Sequence, residues 1–187
     1  IWSASNGMNA LIKSLNRSYD LDETRPFFIA RGISVIFTLL LIVLFLVALA
    51  LPIFGEQIGT FLFSYLGYEQ GFLGVWNQVR WTIPPVMIFI VFMLLYWIAP
   101  NRKLYLKSVI PGAIFATVGW IVVSLGFSLY VSSFANYSAT YGSIGGIIVL
   151  MMWLYFSGTI LMVGGQINAV MQERKEKIAM KKAGAVI

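Results

Sequence analysis

Residues 108–172 read SVIPGAIFATVGWIVVSLGFSLYVSSFANYSATYGSIGGIIVLMMWLYFSGTILMVGGQINAVMQ, without a single Asp, Glu, Lys or Arg. One membrane-crossing helix needs about 17 to 25 apolar residues. The run is too long for one span and must hold two with a break between them. The break falls at residues 132–143, which are polar, uncharged and rich in Ser, Asn, Thr, Tyr and Gly, the residues that punctuate helices. Spans are therefore expected near 109–131 and 144–170.

Two more spans lie N-terminal to this run. Residues 32–55 carry no charge and are dense in Leu, Ile, Val and Phe, enough at 1.5 Å per residue to cross a hydrocarbon core of about 30 Å; the span is placed at 33–53. A second apolar stretch, 81–99, has Pro84 and Pro85 near its expected start, where a missing N–H costs little, and Pro100, Asn101, Arg102 and Lys103 at its end. Between Phe54 and Val79 the glycines, Glu56, Glu69 and Asn77 indicate a solvent-side loop, with a short interfacial helix around Phe61 to Leu66. Trp76 and Trp81 mark its far end, where an aromatic belt lies.

The first residues have a different character. Met8, Leu11, Ile12 and Leu15 recur at helical intervals while Lys13 and Arg17 fall on another face, an amphipathic pattern expected to run along the cytoplasmic interface. The chain opens at Ile1 without an initiator Met or a secretory leader, and its start reads as the inner end of a helix that begins upstream. Asp20 to Pro26 then gathers charge and a proline, a turn or linker. The fold expected is all-α: a polytopic transmembrane helix bundle with four full spans plus the end of an upstream helix. Residues 1–31 form the helix end and cytoplasmic linker, 32–171 the membrane domain and 172–187 a basic tail.

Composition agrees. The chain is 59% hydrophobic and 11% charged, where soluble domains carry about 25% charge. It has no Cys and no His, which removes thiolate chemistry, the commonest general base and the commonest metal ligand. No cofactor, metal or catalytic residue is expected. Asp20, Asp22 and Glu23 are read as helix caps and ion-pair partners of Arg25 rather than a metal cluster. Of the 13 Lys and Arg, all but Arg80 lie before the first span, between the second and third, or after the last. The positive-inside rule places those segments, including the C-terminus, in the cytoplasm. Arg80 reads as a snorkelling anchor or a weak anion site. The expected partners are the bilayer, with anionic lipids at its cytoplasmic face, and a second copy of the chain; no nucleic acid is expected.

Small residues recur within the last two spans. Gly112, Ala116, Gly119, Gly158, Gly164 and Gly165 suit close helix packing, and Ser124, Ser128 and Ser157 suit hydroxyl bridges. The same residues, with Gln166 and Asn168 near the inner end of the last span, equally suit a substrate path. Tyr137, Tyr141 and Ser143 fall in the break, which reads either as a tight outer loop or as a segment that folds back into the membrane. Trp120 and Trp153 are expected to pack between helices.

Several motifs then combine: Tyr19 to Phe28 (YDLDETRPFF), Arg80-Trp81 with Pro84, Leu94-Leu95-Tyr96 with Pro100-Asn101, Pro111-Gly112, Tyr141 to Gly146 (YGSIGG), Trp153 to Ser157 (WLYFS) and Gly164 to Ala169 (GGQINA). This ordered set resembles the YihY/BrkB family of bacterial inner-membrane proteins along nearly the whole chain. The resemblance implies a six-helix bundle, with the first helix and most of the second upstream of Ile1. Where that family often has an acidic residue in a closing Gly-x-Glu-x-Asn pattern, this chain has Gln166. Its members have carried the labels ribonuclease BN and virulence factor and are also described as transporters, including of lipid-like molecules. The leading expectation is an inner-membrane transporter, translocating lipid or another amphiphile without enzymatic chemistry. An envelope scaffold is the alternative. A membrane-associated ribonuclease comes third, since phosphodiester cleavage calls on metal-binding carboxylates or a His pair.

Overall fold

In the computed structural model, residues 2–66, 71–133 and 138–182 are described. They form five helices: α1 (Trp2–Ser18), α2 (Phe27–Leu66), α3 (Gly71–Ile98), α4 (Leu106–Ser133) and α5 (Ser138–Lys182). No strand occurs among the described residues. Four helices are long and apolar enough to cross a membrane, over Phe27–Leu51, Gln78–Ile98, Leu106–Ser132 and Ile144–Lys181. Each helix packs on the next in sequence, and α5 returns to pack on α1, so the five form a closed ring.

Helix α2 has 40 residues and α5 has 45. At 1.5 Å per residue these are roughly 60 and 68 Å long, about twice the hydrocarbon thickness, so both project beyond it. The expected loop from Phe54 is largely helical. The reason is local: Gly59 leaves room for the Trp76 indole, whose Nε1 donates to the Gly55 carbonyl, and the Arg80 stem lies against Gly55. These contacts hold α2 and α3 together as a helical hairpin past the apolar span. Pro84 and Pro85 consequently sit inside α3 rather than near a helix start.

Helix α1 buries Ser5, Met8, Ile12, Leu15 and Asn16, the face expected from its periodicity. That face packs on α2 and α5 rather than on lipid headgroups.

At one end of the ring, two connections are tied together. The Asn16 Oδ1 accepts from the Asn101 backbone N–H at 2.8 Å, and its Nδ2 donates to Glu23 Oε2 at 2.9 Å. Arg25 grips both Glu23 oxygens at 2.6 Å and donates to the Ala99 carbonyl at 2.8 Å. Asn101 Nδ2 donates to the Asp22 carbonyl and to Thr24 Oγ1. Asp20 turns the chain at φ 51°, in the left-handed region that Asp tolerates better than most residues. Arg102 reaches Glu176 on α5 at 2.8 Å. The α1–α2 turn, the α3–α4 connection and the tail of α5 therefore share one basic end.

Candidate functional site

The ring closes most tightly where α4 crosses α5. A Cβ on Gly112 would fall against the Gly164 carbonyl oxygen and 2.5 Å from the Asn168 amide carbon. One on Gly164 would meet the Tyr96 hydroxyl of α3, and one on Gly165 would lie 2.5 Å from Leu15 Cδ2 of α1. Four helices thus meet at two adjacent glycines. Gly119 packs on Ile160, and Ala116 is fully buried. Gly158 is different: a side chain there would enter open space.

Polar groups pin this crossing. Asn168 is fully buried, and its Oδ1 accepts the Gly112 N–H at 2.7 Å while its Nδ2 has no partner. Tyr96, also fully buried, donates to the Leu161 carbonyl at 2.7 Å. Ser124 Oγ accepts from Trp153 Nε1 at 3.2 Å, and Trp153 meets Trp120 edge-to-face at 5.6 Å. Ser157 is buried with a hydroxyl lacking any partner.

Inside the ring lies an apolar cavity of about 420 Å³ with walls from all five helices, among them Met8, Phe37, Phe92, Trp120, Trp153 and Ser157. Gly158 opens onto it. Tyr96, Gly164 and Gly112 of the crossing do not line it.

The sequence-derived candidates therefore divide. Ser157 and Gly158 line the cavity, and Ser124 reaches it through Trp153. Asn168, Gly112, Gly164 and Gly165 form the crossing beneath it. Ser128 and Gln166 are exposed on the outside of the ring and do not line the cavity. Tyr137 lies outside the described residues, as do the side chains of Tyr141 and Ser143. The α2 and α3 walls, Phe37, Leu44 and Phe92, went unrecognised in the sequence. An apolar residue in an apolar span reads the same whether it faces lipid, core or cavity; the only local signals were the uncompensated hydroxyl of Ser157 and its neighbour Gly158.

This lining offers burial for hydrocarbon and a single free hydroxyl, with no charge. Among the described residues no group of three or more His, Cys, Asp or Glu comes together. The titratable features belong to the basic end. Hydrogen bonds from the Arg25 side chain hold the Glu23 carboxyl below its ordinary range, and burial pushes the Tyr19 phenol up.

The family described as Virulence factor BrkB matches residues 1–185. The ribonuclease-like protein YfkH of Bacillus subtilis is 55% identical over 94% of this chain and 64% of its own length. A UPF0761 membrane protein of Pseudoalteromonas translucida is 29% identical over 83% of this chain and 50% of its own. Another, from Actinobacillus pleuropneumoniae, is 29% identical over 90% and 59%. The chain thus spans between half and two thirds of the length of these relatives. No solved structure matches it.

Proposed function

Because this chain belongs to the virulence factor BrkB family of membrane proteins, we propose that it serves as a translocator of lipid or another amphiphile in the bacterial inner membrane, without an enzymatic step. The observation that carries this reading is the apolar cavity lined by all five helices. Its volume falls in the range of about 300 to 1,000 Å³ of ligand-binding clefts. A lipid tail moving into it from the bilayer exchanges one apolar surrounding for another, so its entry carries no penalty for burying polar groups. Ser157 supplies one unsatisfied hydrogen-bonding group for the polar part of such a ligand.

The orientation proposed puts the basic end in the cytoplasm. All the Lys and Arg except Arg80 lie on the segments that meet there, as the positive-inside rule requires. Anionic lipids of that leaflet attract such residues by about 1 kcal/mol each, so lipid rather than nucleic acid is the partner proposed. The absence of His and Cys from the sequence supports a role without acid–base or thiol chemistry. The name of the Bacillus relative, ribonuclease-like, belongs to that protein.

The test is reconstitution of full-length protein in liposomes carrying a headgroup-labelled fluorescent phospholipid, with a membrane-impermeant quencher outside. Quenching well beyond the outer-leaflet share, against protein-free vesicles, is expected. Quenching limited to the outer leaflet contradicts lipid translocation and shifts the reading to an envelope scaffold.

A further inference from the structure

The membrane-crossing part of α2, Phe27–Leu51, holds one charged residue, Arg31. Arg31 is 9% exposed. Its Nη1 donates to Asn6 Oδ1 at 2.7 Å, its Nη2 donates to the Trp2 carbonyl at 2.8 Å, and the guanidinium lies 3.9 Å over the Trp2 ring. Its Nε is buried without a partner. None of these neighbours carries a negative charge. The ion pairs among the described residues are Arg25–Glu23, Arg102–Glu176 and Lys177–Glu173, so no carboxylate among them serves Arg31.

A guanidinium does not shed its proton in a protein, and a buried charge without a counter-charge is strongly disfavoured. An arginine near the end of a span ordinarily snorkels into water, whereas this one is buried. Two turns further along α2, beginning at Thr38, a groove of about 310 Å³ runs between α1 and α2, lined by Ala4, Met8, Thr38, Leu41, Ile42 and Phe45 among others. It is almost wholly apolar, and Phe45 and Ile42 are exposed along it. A buried cation with no anion beside it among the described residues thus lies about two helical turns along α2 from a tail-sized apolar groove on the bundle surface.

We propose that Arg31 and this groove form a binding site for an anionic phospholipid, the phosphate at Arg31 and one acyl chain along the groove. Charge complementarity selects the occupant: the phosphate supplies the negative charge that Asn6 and Trp2 do not, and takes the free Nε. The Trp2 indole stacked on the guanidinium is itself exposed. The site is separate from the central cavity and does not depend on the bundle moving lipid.

The test uses full-length protein in an uncharged detergent, with thermal unfolding followed as phosphatidylglycerol, phosphatidylcholine or inorganic phosphate is added. Phosphatidylglycerol is expected to raise the midpoint at least tenfold lower concentration than phosphatidylcholine. Arg31→Gln removes that preference and Arg31→Lys keeps part of it. A preference that persists in Arg31→Gln, or no preference in the unaltered protein, overturns the proposal. So does an equal response to inorganic phosphate, which would leave the groove without a role. Should Arg31→Gln not fold, Ile42→Trp, a change at an exposed groove position, must weaken phosphatidylglycerol binding; unaltered binding there also overturns it.

Discussion

Within the α4–α5 crossing, one hydrogen atom in place of a methyl decides whether the helices meet. Gly112→Ala forces a Cβ onto the Gly164 carbonyl and the Asn168 amide, backbone and a pinned side chain that cannot swing away. Overpacking of this kind costs roughly 1–3 kcal/mol, and thermal unfolding in detergent should show a loss of that order. Gly126→Ala, with open space around the position, should be neutral or stabilising by up to about 1 kcal/mol from helix propensity. Asn168→Leu leaves the Gly112 N–H without its acceptor, a loss of about 1–3 kcal/mol on the same measurement. The spacing of Gly112, Ala116 and Gly119 was legible in the sequence. What distinguishes Gly164, clasped by Tyr96, from Gly158, open to the cavity, was not, because a glycine's role depends on what stands opposite it. Gln166 shows the same limit: its polarity suggested an interior position, and its rotation about α5 places it outside.

At the level of elements, hydropathy located the spans because a hydrocarbon solvent leaves few alternatives to a helix with all backbone groups paired. The helix ends were harder to read. The continuation of α2 to Leu66 rests on Trp76 fitting against Gly59, a contact between segments that no local pattern announces. The α1–α2 turn carries a pH dependence with a defined sign. Arg25 holds the Glu23 carboxyl below its ordinary range. Its contribution is therefore complete above about pH 4.3, the unperturbed value for Glu, and is lost as pH falls through the lowered value. The protection of the residue 19–25 amides, taken relative to the intrinsic exchange rate at each pH, should fall on acidification below about pH 4. In Glu23→Gln that region should exchange faster already at neutral pH, with the acid-dependent step much reduced.

For the whole molecule, the ring of five helices joins the two observations on which its function is argued: a basic end and an apolar interior. The chain contains no Cys, so single cysteines report topology without a background. Lys103→Cys should resist a membrane-impermeant maleimide in intact cells and react once the membrane is opened, while Val75→Cys should react from outside; the reverse pattern would invert the proposed orientation. If amphiphiles pass through the cavity, filling it must slow them, and a side chain added at Gly158 enters the cavity without meeting a neighbour. The measurement is the liposome quenching assay on full-length Gly158→Leu, beside Gly146→Leu, an equally uncrowded but exposed glycine of the same helix. The cavity account predicts lipid movement reduced at least tenfold in Gly158→Leu and unchanged in Gly146→Leu. Equal rates in both variants and the unaltered protein would contradict it.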